Sequence, residues 1–264
     1  MTYIEKEWRE QSRGKGIWLS LGMVALVSLF ILLQSRSLPP EEGFEVFLLS
    51  LYEMNVYLIP LLSMFLASIA IMQEREQKTL TILLTKKESY LSFYLKKSLA
   101  VQCITLAVFL GWFFIFALPM KLLLSFHVQS FLVFLAAVGS LLFIFNQIGL
   151  FLGSICNTRM QLVGANIFVW FFFVFFIDLA FLYFLPAVTN ENIMLFSWAY
   201  FLHPLHTIHF YLETSVGLFS TEHMSRIMEK LVWMSPAKFL LVDLVVLPSI
   251  FVCLGIWLRV RSER

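Results

Sequence analysis

Six long apolar runs dominate the chain, at residues 17–33, 56–72, 99–118, 131–155, 163–185 and 239–258. A bilayer core about 30 Å thick takes about 20 apolar residues of helix, with a usual range of about 17–25, and every run meets that length. The expectation is an all-α integral membrane protein, a single transmembrane domain over residues 1–264 with six transmembrane helices. The composition agrees: 60% of residues are hydrophobic, against roughly 45–50% in soluble domains. A net charge of +2 gives no case for nucleic acid as a partner, so the position of the charges matters more than their sum.

Six spans put both termini on one side. The N-terminus, the loop at 73–98, the loop with Arg159 and the C-terminus together hold fourteen Lys and Arg residues, and the opposite side holds five. Basic residues stay on the cytoplasmic side. This predicts a multi-pass protein of the cell membrane with cytoplasmic termini and a long extracytoplasmic segment at 186–238. Apolar patches such as IMLFSWAYFL in that segment predict helices that dip into the outer interface. Residues 1–15, with Ile4 and Trp8 four apart among charges, read as an amphipathic elbow helix on the membrane surface. Cys103, Cys156 and Cys253 are too widely spaced for a disulfide framework or a metal motif and read as apolar packing residues.

The longest charged passage is EREQKTLTILLTKKESYLSFYLKK, from Glu74 to Lys97. As a helix it places Leu80, Leu84, Leu91 and Leu95 on one face. Its basic residues Lys86, Lys87, Lys96 and Lys97 suit anionic headgroups. Such a segment is either a snorkelling loop or a docking helix for a soluble partner. The acidic pair Glu74 and Glu76, the Thr79-Leu80 step, the Leu83-Leu84 run and the Lys96-Lys97 entry into the third span resemble the corresponding loop of ABC-2 type transporter permeases; Lys78 stands where that family has a glycine. The order of elbow helix, six spans, short outer loops and a longer outer segment resembles the same family along nearly the whole chain.

This resemblance implies that 73–98 forms a cytoplasmic coupling helix and that Glu74, Glu76, Thr79, Leu80, Leu83 and Leu84 contact an ABC ATPase subunit. It also implies a second copy of the chain as partner. The chain lacks G-x-x-x-x-G-K-[ST], so ATP and Mg are expected on the separate ATPase, with no cofactor here. It also lacks the H-E-x-x-H and G-x-S-x-G motifs of an intramembrane enzyme. Residues 169–184, VWFFFVFFIDLAFLYF, and 201–212, FLHPLHTIHFYL, are similar to the permeases of nitrous oxide reductase maturation transporters. That narrower likeness implies movement of a copper or sulfur species and an extracytoplasmic β-helical accessory partner. The wider family implies export of a peptide, antibiotic or ion.

Three groups of polar residues are candidates for the work. Asp178 lies about 22 Å into the fifth span, counted from Val163 at about 1.5 Å per residue. A carboxylate there costs several kcal/mol unless paired or wetted, so it either bonds a neighbouring helix or serves a translocation pathway. Asp243, just inside the sixth span, is expected at the interface. Asn146 and Gln147 precede GLFLG in the fourth span, a polar pair and a close-packing motif that serve either packing or the pathway. His203, His206 and His209 follow an H-x-x-H-x-x-H spacing. Imidazoles at that spacing suit copper or zinc, although Pro204 interrupts the first step.

Overall fold

The computed structural model describes residues 3–35, 43–77, 89–189, 191–219 and 230–262, and among them there is no strand. Helix α1 (Tyr3–Arg13) is followed by α2 (Lys15–Gln34), α3 (Gly43–Glu76), α4 (Tyr90–Leu123) and α5 (Val128–Ile155). The fifth span is composite: α6 (Arg159–Phe171), a π turn (Phe172–Phe176), α7 (Ile177–Phe184) and a 3-10 turn (Leu185–Ala187). Then come α8 (Ile193–Phe201), α9 (Pro204–Ser215) and α10 (Pro236–Ser262). Six of these helices are long and apolar enough to cross a membrane, the architecture of an all-helical, multi-pass membrane protein.

Helix α3 begins well before the apolar run at 56. Glu45 and Glu53 interrupt that earlier stretch, yet Phe44, Phe47, Leu48, Leu51, Tyr52 and Asn55 recur at helical steps and are all buried. With 34 residues each, α3 and α4 reach about 51 Å at about 1.5 Å per residue, more than the hydrocarbon core requires.

Helix α5 sits at the centre, packed by α3, α4, α9 and α10. The GLFLG motif places α3 against it. A Cβ built at Gly149 would stand 2.5 Å from the Met64 carbonyl oxygen, and one at Gly153 would stand 2.6 Å from that of Ser68. Only hydrogen fits at these points, so the two backbones meet directly, and the close packing lies within one chain. Aromatic side chains fill the space on the other side of α5, where Phe113 meets Phe134 edge-on at 5.1 Å.

Between the fifth and sixth spans, α8 and α9 form a helical hairpin. Helix α9 enters the bundle, with Leu205, Ile208 and Leu212 buried in its core, and Phe201 of α8 stacks on Phe239 of α10 at 4.0 Å. The fifth span is covered least: 6% of its apolar stretch is buried, against 33–56% in the other five.

Candidate functional site

Charged residues gather at the end of the bundle that carries α1, and three neighbours in sequence organise them. Glu74, Arg75 and Glu76 close α3, and successive helical residues point about 100° apart. Each meets a different partner. Glu74 turns inward to α1 and α4, where it lies 3.0 Å from Lys97 Nζ and 2.7 Å from Lys6 Nζ. Arg75 donates to the carbonyl oxygens of Ser154, at 2.6 Å, and of Cys156, capping the open C-terminus of α5. Glu76 takes a two-pronged pair from Arg159 at the start of α6.

Lys97 is only 2% exposed and also pairs with Glu7 of α1. The carboxylates of Glu7, Glu10 and Glu74 lie close enough together for a metal ion, but the Lys97 ammonium already neutralises that space. Burial alone would lower the Lys6 pKa; the hydrogen bond it donates to Glu74 and the charges of Glu74, Glu10 and Glu7 raise it above its ordinary value instead.

A second cluster forms at the opposite end, about 28 Å along the fifth span from Arg159 at about 1.5 Å per residue. His203, extended at the N-cap of α9 (φ −87°, ψ 113°), donates through Nε2–H to the carbonyl of Phe173 in the π turn at 3.0 Å. Its Nδ1 is buried without a hydrogen-bond partner among the described residues. His206 Nε2 stands 3.2 Å from Asp178 Oδ1. Tyr200 stacks on the His206 ring at 4.4 Å, and Phe181 meets it edge-on. Burial, with the neighbouring imidazole adding to it, pushes His203 down to about 3 and His206 down to about 4. Both rings are therefore neutral. Beside them, Phe172, Phe176, Phe181, Phe184, Leu195 and Phe196 line an apolar recess of about 450 Å³.

The residues singled out in the sequence fall into separate places. Asp178, His203 and His206 meet. His209 does not join them; it lies 3.5 Å from Glu213 and 3.8 Å from Glu53. Three-residue steps on a helix precess by about 60°, and six residues carry His209 about 120° around from His203. Asn146 and Gln147 bond α4: Asn146 donates to Gln102 at 2.9 Å and Thr105 at 2.6 Å, and Gln147 donates to Ser98 at 2.6 Å. Thr79, Leu80, Leu83 and Leu84 lie outside the described residues, whereas Glu74 and Glu76 hold the ion pairs given above.

Two expectations are corrected. The expected stripe at Leu91 and Leu95 is exposed, and Tyr90, Phe93, Tyr94 and Lys97 face inward, because the rings pack on Ala67, Ala70 and Ile71 of α3. Lys97 meets carboxylates rather than headgroups. Asp243 is fully buried beside Thr207, where α9 folds over the start of α10.

Sequence reading missed Glu7, whose partner lies ninety residues away; the one signal was a lysine at the head of an apolar run, which needs a counter-ion. No protein-family model matches the chain, and no curated protein matches it. Fold and clusters together are compatible with a membrane transport protein.

Proposed function

We propose that the chain is the membrane subunit of an ATP-driven transporter of the ABC-2 type, gripped by a separate ATPase at the end that carries α1. One observation carries this reading: the Glu74–Lys97 pair fastens the two ends of the stretch at 77–89 to each other and to α1, while Arg75 and Glu76 fasten the same point to α5 and α6. A push delivered at either end of that stretch reaches five helices through these ion pairs and hydrogen bonds. That is what a coupling element requires, since a conformational change follows only from contacts that differ between two states. In this reading the α1 end is cytoplasmic, ATP and Mg are bound by the partner, and two copies of the chain form the working unit.

The finer proposal is a role in copper-centre maturation of nitrous oxide reductase, moving a copper or sulfur species with a β-helical accessory protein outside. Its support is the likeness of residues 169–184 and 201–212 to such permeases, together with the meeting of those two stretches at Asp178, His203 and His206.

A photo-crosslinking residue placed at Leu80 or Leu84 in the native membrane tests the coupling. The expected product is a crosslink to a polypeptide that carries G-x-x-x-x-G-K-[ST], and the same residue at Glu191 gives none. A crosslink from Glu191 but not from Leu80 or Leu84 overturns the reading. So does the absence of any nucleotide-binding partner.

A further inference from the structure

We infer that Asp178, His203 and His206 form a binding site for a divalent first-row transition cation of the zinc type, joining the fifth span to the α8–α9 hairpin. One carboxylate oxygen and one nitrogen from each imidazole lie within 4.8 Å of one another. His206 Nε2 stands 3.2 Å from Asp178 Oδ1 and makes no hydrogen bond to it. Two ligands of a tetrahedral ion at about 2.0–2.2 Å stand roughly 3.3 Å apart, so this pair already has the spacing of two ligands on one ion.

His203 is prepared in the same way. The Phe173 carbonyl can only accept, so Nε2 carries the proton and Nδ1 keeps its lone pair, and His203 is 3% exposed with that lone pair unmatched among the described residues. A backbone carbonyl holding the far N–H of an imidazole is the usual support of a metal-bound histidine. Phe173 stacked on His203, and Tyr200 and Phe181 around His206, hold both rings in place.

The donor set decides the ion. Two imidazoles and one carboxylate suit a borderline divalent cation; magnesium prefers an all-oxygen set and Cu(I) prefers sulfur. Three protein ligands leave a fourth position open, as in sites that exchange a water or a small anion. The assignment rests on these residues alone and stands whether or not the chain couples to an ATPase.

The test uses the full chain, purified in detergent and stripped with chelator, then titrated with Co²⁺ and followed by its visible d–d absorption. The expected result is one Co²⁺ per chain, displaced by Zn²⁺ and not by Mg²⁺, with a Zn²⁺-dependent rise in the thermal midpoint. His203→Ala and Asp178→Asn are each expected to weaken binding at least tenfold and abolish that rise, while His209→Ala and Glu213→Gln bind as the unmodified chain does. Asp178→Asn keeps the size of a side chain that is 56% exposed, so it carries the test even if His203→Ala fails to fold. No binding, binding indifferent to Asp178→Asn, or equal loss in His209→Ala overturns the site.

Discussion

A methyl group added at Gly149 or Gly153 would press on the backbone of α3, whereas one added at Gly164 meets nothing within 4 Å. Gly149→Ala and Gly153→Ala are therefore expected to cost about 1–3 kcal/mol through overpacking. Gly164→Ala is expected to be neutral or to gain up to about 1 kcal/mol from helix propensity. Thermal unfolding of the purified chain measures both. Lys97 is the other residue where one atom group decides much. Removing it leaves the buried Glu7 carboxylate without its ammonium partner while Glu74 keeps Lys6, so Lys97→Ala is expected to destabilise by about 3–5 kcal/mol. Adding Glu7→Gln and Glu74→Gln should recover part of that loss, and a denaturation series on the single and triple variants checks it. These two cases also mark what was legible in the residues. GLFLG announced a close crossing because small residues at four-residue spacing have few other uses, although its partner helix did not show. Lys97 announced a need for a counter-ion, but nothing local to it identifies Glu7.

Among the elements, the fifth span departs furthest from its simple apolar pattern. Its length and Asp178 were readable from residues 163–185, because hydropathy reports both. The π turn was not; the Phe173 carbonyl within it accepts from His203 of the α8–α9 hairpin, a contact that no local pattern announces. One extra residue in a turn rotates everything after it by about 100° relative to a regular helix, so the face shown by Asp178 is set by the turn. Deleting Phe175 should restore a regular helix and swing residue 178 away from His206. Cysteines at 178 and 206, in a background without Cys103, Cys156 and Cys253, are expected to be joined by a short bis-methanethiosulfonate in the full-length chain and not in the deletion. The start of α3 was hidden for a related reason: Glu45 is met by His127 at 2.9 Å and Ser130 at 3.0 Å, so a charge that broke the apolar run is matched by a neighbour far off in sequence.

At the scale of the whole molecule, the two polar clusters stand at opposite ends, with the apolar core and the Asn146 seam between them. The distribution of basic residues gives an expected orientation, and a cysteine at each end tests it. Gln77 and Glu191 are both exposed. In whole cells an impermeant thiol reagent is expected to label a cysteine at Glu191 and leave one at Gln77 untouched until the membrane is opened. Labelling at Gln77 alone would invert the arrangement.

The placing of Glu74, Arg75 and Glu76 on three separate neighbours makes α3 behave like an indexed shaft. A single alanine inserted before Gln73 advances all three side chains by about 100°, presenting Glu74 to a neighbour meant for another residue and Arg75 to the wrong wall. The same alanine inserted after Gln77 leaves all three side chains in register with their neighbours. The first insertion is expected to abolish stable expression of the chain and the second to preserve it, with yield and a monodisperse elution profile as the measure. The register of α3 ahead of Glu74 is thus constrained to whole turns.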